Sequence, residues 1–298
     1  MSKLSESLLR YYYLKCNMSI GDIADRVGVG KTTVSRHLQK LGIPTRGPKF
    51  TGGKKKVNEE YFDSYGPKQC YYASWINSDG CLYISKGTYS LELVVKKGDR
   101  DILEAFKNDV GSEHNIVETE SNIRGKATKA IRLRIGSKKI IQSLMLNYGI
   151  LPRKSLKEEF PWIPQKFVKD GIRGELDGDG SIYPEGKRLN VVFYGSEKKL
   201  SKINAYIHKN LNIKGSIYCT PIKNESLEKV LIDRNIKPEV VKSILSEVQK
   251  NYLYRLDFKK QDEVMKLLSW LYDDAVIYLK RKYDLFMNYK LNRNQNIS

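Results

Sequence analysis

Apolar residues recur along this chain at two spacings, one helical and one typical of strands. In residues 31–42, Val34, Leu38 and Leu41 fall at i, i+4 and i+7, so a helix there has one apolar face. Residues 4–14 are apolar at the same spacing. Residues 19–28 predict a short helix between these two, which Ser19 can cap by accepting an orphan backbone N–H. Val27, Gly28, Val29 and Gly30 supply the turn into the third helix. Farther on the period changes to two. Ile131, Leu133 and Ile135 point to one side of a strand and Arg132 and Arg134 to the other; Tyr254, Leu256 and Phe258 likewise oppose Arg255. Strands are predicted at 82–85, 89–95, 115–120 and 130–135, with helices at 100–109 and 138–148. The same order returns as strands at 181–183, 190–194, 216–220 and 252–258, with helices at 198–210 and 262–272. Residues 223–250 read as an extra, helix-like segment where the first half is expected to have only a short loop at 122–129.

Repetition extends to the residues themselves. Residues 71–84 (YYASWINSDGCLYI) and 171–183 (GIRGELDGDGSIY) each run from an apolar helix into a small residue, Asp and Gly, and then into a strand. Asp79 and Asp179 stand one hundred residues apart. Ser74 and Ser78 share one helix face, as do Gly174 and Gly178. Two helices with small residues on those faces can pack backbone to backbone, which brings both helix ends, and both aspartates, into one site. Carboxylates that close repel each other, and divalent cations relieve the repulsion. Metal-assisted phosphodiester hydrolysis uses such a pair, the ions activating the attacking water and stabilising the leaving oxygen.

Charge says what the partner is. Of 298 residues, 53 are Lys or Arg and 34 are Asp or Glu, a formal net charge of +19. A surplus of that size calls for a polyanion, and nucleic acid is the usual one. No apolar run is long enough to span a bilayer and no N-terminal segment resembles a signal peptide, so a soluble intracellular protein (cytoplasm or nucleoid) without a membrane partner is expected. Residues 1–56 hold twelve Lys or Arg against three Asp or Glu, a net of +9, which marks a separate nucleic-acid-binding module. Its last helix carries Lys31, Thr32, Thr33, Ser35, Arg36 and Gln39 on the polar side, all able to bond phosphates or base edges. This module resembles a helix-turn-helix of the resolvase or transposase kind, whose second helix enters the major groove. The Pro- and Gly-rich segment that follows, with Arg46, Lys54, Lys55 and Lys56, reads as a basic linker that can track phosphates or lie in a minor groove. Cys16, Cys70, Cys81 and Cys219 lack metal-ligand spacing, and His37, His114 and His208 are scattered, so the chemistry falls to carboxylates.

The paired motifs resemble those of the LAGLIDADG homing endonucleases. Tyr72 to Gly80 matches loosely, and Ile172 to Gly180, ending in Leu-Asp-Gly-Asp-Gly, matches well. The resemblance covers about residues 60–290 and implies an α+β fold. Two pseudo-symmetric αββαββα repeats with saddle-shaped antiparallel sheets, at 59–160 and 161–298, would follow a helix-turn-helix domain at 1–46 and a linker at 47–58. It implies that Asp79 and Asp179 hold the catalytic Mg2+ (or Mn2+) ions, with Ser78 and Gly178 beside them. Asn77 and Asp177 would cap their helix ends. Lys154 and Lys282 would be the basic residues that assist charge development. A glutamine that orders the active-site water in many members is absent, its aligned positions being Val95 and Val192. Alternate strand residues, Tyr83, Arg132, Arg134, Tyr183 and Arg255, would face DNA. The implied activity is site-specific double-strand cleavage of a long, non-palindromic target by a monomer, as in a mobile genetic element. Relatives that regulate transcription or assist intron splicing offer the alternative, the same scaffold without cleavage.

Overall fold

The computed structural model describes residues 5–16, 18–43, 55–85, 87–123, 126–152, 159–221, 238–240 and 252–295. The chain forms two compact units, Met1–Lys55 and Lys56–Ser298.

The first unit is all helical. Its elements are α1 (Glu6–Arg10), which runs on as a π-helical turn (Tyr11–Lys15), then α2 (Ile20–Val27) and α3 (Lys31–Lys40). The widened turn departs from the plain helix predicted over 4–14. Ser19 caps α2 reciprocally: its Oγ accepts from the Asp22 N–H at 3.1 Å and the Asp22 carboxylate accepts from the Ser19 N–H at 3.1 Å. Gly28 ends α2 at φ 69°, a left-handed conformation that suits glycine. Leu9, Tyr13, Ile23, Ala24, Val34, Leu38 and Ile43 form the core of this unit.

The second unit repeats one plan twice. The first copy runs α4 (Pro67–Asp79), β1 (Gly80–Ser85), β2 (Thr88–Lys96), α5 (Arg100–Asp109), β3 (Ile116–Ile123), β4 (Lys126–Ile135) and α6 (Lys138–Tyr148). The second runs α7 (Val168–Asp177), β5 (Ser181–Glu185), β6 (Arg188–Gly195), α8 (Glu197–Leu211), β7 (Ser216–Pro221), β8 (Tyr252–Phe258) and α9 (Gln261–Tyr272), followed by α10 (Lys280–Gln295). Among the described residues the strands form two four-stranded antiparallel sheets, ordered β1-β2-β4-β3 and β5-β6-β8-β7. This is the α+β architecture expected from the sequence. Each sheet buries one face: Leu91, Leu93, Ile131, Leu133 and Ile135 in the first, and Leu189, Val191, Phe193, Leu256 and Phe258 in the second, all in one continuous core. Helix α4 is buried from Cys70 to Asn77, on every side, because it stands at the centre of that core beside α7.

The register fixes which residues of the two copies correspond. Tyr83 pairs with Ser90 and Tyr183 with Asn190, a constant shift of one hundred. Val192 pairs with Ser181 as Glu92 pairs with Cys81. Val192 is therefore the counterpart of Glu92, and Val95 corresponds to Gly195, which corrects the alignment of Val95 with Val192. Of the expected linker at 47–58, Lys56 and Asn58 are bonded into the second unit. Glu113 N–H donates to the Lys56 carbonyl at 2.9 Å, and Asn58 N–H to that of Val110 at 2.8 Å. The expected insertion lies outside the described residues except for a helical 238–240.

Candidate functional site

The small residues of α4 and α7 meet. A Cβ placed on Gly174 would lie 2.3 Å from the Tyr71 carbonyl oxygen and 3.0 Å from Ser74 Cβ. One placed on Gly178 would lie 2.5 Å from Ser78 Cβ. Non-bonded carbons rest about 3.5–4.0 Å apart, so the helices touch where only glycine leaves room. Gly171 extends the stripe, its Cβ position 3.2 Å from Ser74 Oγ.

That contact sets the helix ends side by side. Asp79 is the exposed last residue of α4, and Asp179 sits exposed in the turn after α7. Asp79 opens into a cleft of about 250 Å³ whose walls include Trp75, Lys96, Asp99, Lys129, Gly178 and Arg281. Asp179 does not line this cleft. Its Oδ2 lies 3.6 Å from Lys199 Nζ, and the same ammonium lies 3.0 Å from Glu175 Oε2. Glu175 is buried, and it also accepts hydrogen bonds from Asn77 Nδ2 at 3.0 Å and Ser78 Oγ at 2.8 Å. Glu175 and Lys199 were not singled out in the sequence. A signal existed: Glu175 stands where the first copy has Trp75, a charge inside a helix buried on every side.

The positions expected to cap their helices do other work. Asn77 Nδ2 donates to the Glu159 carbonyl at 3.0 Å as well as to Glu175. Asp177, fully buried, accepts from Tyr71 OH at 2.8 Å, Tyr272 OH at 2.6 Å and the Leu279 N–H at 2.8 Å, so it ties the start of α10 to α7. Burial raises its pKa against the pull of Lys282. The end of α7 is closed by Lys282, whose Nζ donates to the carbonyls of Leu176 at 2.5 Å, Asp177 at 3.0 Å and Gly180 at 2.7 Å. Burial brings the Lys282 pKa down to about 8, opposed by the charges of Asp177, Asp79 and Asp99. Lys154 lies outside the described residues.

The second face of each sheet carries the outward positions. In the first, Arg132 and Arg134 lie 3.8 and 4.0 Å from Glu92 Oε2, Arg134 stacks over the Tyr83 ring at 5.4 Å, and Tyr83 is exposed. In the second, Arg255 stacks over the Tyr218 ring at 5.2 Å and lies 3.5 Å from buried Asp257, and Tyr183 is half-buried on β5. Burial raises the Asp257 pKa, and Arg255 and Lys259 oppose the rise. In the first unit, Lys31, Thr32 and Arg36 are exposed on α3 and Thr33 and Ser35 are half-buried. Lys55 and Lys56 are exposed, while Arg46 and Lys54 lie outside the described residues.

The donor set can be weighed against a metal. Among the described residues no three His, Cys, Asp or Glu side chains gather closely enough to hold one. Mg2+ does not need three: it is commonly held by one or two carboxylates with waters and substrate phosphates. Two exposed aspartates at adjoining helix ends fit that habit.

No family model and no curated protein matches this chain. Solved structures do. The homing endonuclease I-WcaI bound to its DNA recognition sequence is 11% identical with a TM-score of 0.46, over 76% of this chain and 91% of that one. I-DmoI in complex with DNA and Ca is 14% identical with a TM-score of 0.45, over 78% and 99%. The N-terminal LAGLIDADG domain of WhiA is 11% identical with a TM-score of 0.42, over 72% and 87%. No helix among the described residues is long and apolar enough to cross a membrane.

Proposed function

We propose that this protein is a divalent-metal-dependent endonuclease that cuts double-stranded DNA at a long, non-palindromic site. The observation that carries this is the backbone-to-backbone meeting of α4 and α7 at Gly174 and Gly178, which sets exposed Asp79 and Asp179 at adjoining helix ends. Two sheets flank those ends, and each turns arginine and tyrosine outward. Arginine serves both phosphate and guanine contacts, and outward strand positions are where such contacts are made. One chain holds both halves, so a monomer suffices.

Mg2+ or Mn2+ held by the aspartates would supply Lewis acidity toward the scissile phosphates. The chain itself orients those carboxylates. Ser78 and Asn77 are tied to Glu175, and Lys282 closes the end of α7, so neither helix end is free to drift. The α3 helix of the first unit adds basic contacts, which lengthens the recognised site through the tether between the units.

The deciding experiment is cleavage of a randomised duplex library in Mg2+, followed by Asp79→Asn and Asp179→Asn on the selected duplex. Both variants should lose cutting and keep specific binding in Ca2+. Binding without cleavage at any Mg2+ or Mn2+ concentration would replace the nuclease with the regulator or splicing-cofactor alternative. The aliphatic Val95 and the side-chain-free Gly195 at the strand ends are what favour that second reading.

A further inference from the structure

Helix α10 opens with Lys280, Arg281 and Lys282 and has no acid in its first turn. Cations there oppose the helix dipole, so helix stability does not account for them. Lys280 reaches Asp284 at 2.8 Å, and Lys282 spends all three of its donors on backbone carbonyls at the end of α7. The resemblance to homing endonucleases gave the basic role to Lys282, which has no donor left for a substrate. Arg281 is placed otherwise. It comes from the end of the second copy and lines the cleft of Asp79, in the first. Its Nε donates to both oxygens of Asp99 at 3.0 Å. The Asp99 side chain is only 9% exposed, whereas that of Arg281 is 50% exposed. The contact with Asp99 uses the Nε donor, and the other four donors of a guanidinium lie on its Nη atoms. The approach to α10 is held as well. Buried Arg173 donates to the Leu271 and Ile277 carbonyls at 2.9 Å, and the Leu279 N–H donates to Asp177 at 2.8 Å. Lys96 and Lys129 line the same cleft as exposed lysines, which add charge. A guanidinium anchored at Nε adds direction, a planar fork of the kind that suits a phosphate.

We propose that Arg281 binds a backbone phosphate of DNA in the Asp79 cleft, held for that contact by Asp99, so that the last helix of the second copy completes the site of the first. The proposal rests on the DNA-binding reading above. Arg281 touches the substrate, and Asp99 is its positioning residue. Donors fixed before the substrate arrives need no reorganisation as charge develops on the phosphate.

The test uses the full chain in Ca2+ and the duplex selected from the randomised library, its phosphates replaced one at a time by uncharged methylphosphonates. For the wild type, one replacement should weaken binding by about tenfold or more, the loss expected for a charged hydrogen bond. Arg281→Gln should weaken binding of the unmodified duplex to a similar degree and be indifferent to that same replacement, while responding to the others as wild type does. A merely structural arginine would change stability or affinity without erasing the effect of any single phosphate. Equal responses of both proteins at every phosphate would therefore overturn the proposal. Asp99→Asn, which loosens Arg281, should keep a smaller dependence on that phosphate, and an unchanged one would strip Asp99 of its part. If Arg281→Gln fails to melt cooperatively, Arg281→Lys decides. It keeps the charge and loses the fork, so the effect of that phosphate should shrink, and an effect equal to that of the wild type at every phosphate would overturn the proposal. A chain that binds no duplex would overturn this proposal together with the reading beneath it. Binding and phosphate dependence as expected, without cleavage in Mg2+ or Mn2+, would sink the nuclease alone.

Discussion

Gly178→Ala adds a single methyl group at the point where α7 meets α4. Its Cβ would sit 2.5 Å from Ser78 Cβ and 3.0 Å from Ser78 Oγ. Ordinary carbon separation then requires the helix ends to part by roughly 1 Å. Gly178 has φ −73°, so the cost comes from crowding and not from a left-handed backbone. Overpacking of this kind costs about 1–3 kcal/mol, and for a unit of this size each kcal/mol lowers Tm by about 2–4 °C. Cleavage should suffer more, because a displacement of about 1 Å can cost roughly a hundredfold in rate. Ser78→Gly removes the obstructing atoms, so the double variant should recover most of the rate. It should not recover full stability, since the Ser78 hydrogen bond to Glu175 at 2.8 Å is lost and bonds to charged groups contribute about 1.5–3 kcal/mol. Thermal melts and single-turnover cleavage of the four proteins measure the coupling directly. Strictly additive effects, or a Gly178→Ala protein that melts and cuts like wild type, would show that this contact does not set the spacing of the aspartates.

Lys282→Met probes burial through pH. With the Lys282 pKa depressed to about 8, the unfolded chain holds a proton between about pH 8 and 10.5 that the folded chain has released, so stability from this group rises with pH across that window. The gain is roughly 3 kcal/mol, and the wild-type-minus-variant difference in urea unfolding should grow accordingly; a flat difference would contradict the burial argument. Removing residues 1–55 should weaken binding to the selected duplex, shorten its footprint and reduce the slope of log K against log salt, whereas an unchanged footprint would place α3 off the DNA. Arg134→Ala should cost about 1–3 kcal/mol of discrimination at one base position if that side chain leaves Glu92 for a base edge, and uniform weakening across all sequences would mark it as a phosphate contact.

Much of this architecture was legible in the sequence because burial leaves a period behind. Ile131, Leu133 and Ile135 alternate with Arg132 and Arg134, and the strand they form buries the first three and keeps the arginines outward. Val34 and Leu38 are buried for the equivalent helical reason. What no period encodes is a charge that turns inward. Glu175 and Lys199 meet only because two helices and a helix start converge in space, and a lone lysine among 53 basic residues gives no hint that its side chain is wholly buried. The hydrogen bonds of Lys282 are hidden in the same way, since backbone carbonyls at a helix end attract lysine without any mark in the sequence.

The register that separates Val192 from Val95 also shows how the two halves differ. Both hairpins close with two residues between Ser85 and Thr88 and between Glu185 and Arg188, so the shift of one hundred passes through them intact. The glycines do not mark this: Gly87 is the second loop residue of one hairpin and Gly186 the first of the other, each at positive φ. With the register restored, Glu92 stands opposite Arg134 where Val192 stands opposite Asp257, and Arg132 corresponds to Arg255. One outward arginine is shared by the two sheets, while the neighbouring pair differs in charge and in size. If the proposed function holds, two surfaces that match in backbone and differ in those side chains would present the same geometry to both arms of a duplex and different chemistry to their base edges. Under the proposed function, the repeat supplies the paired helix ends, and divergence at the outward strand positions makes the two halves unequal in the bases they would meet.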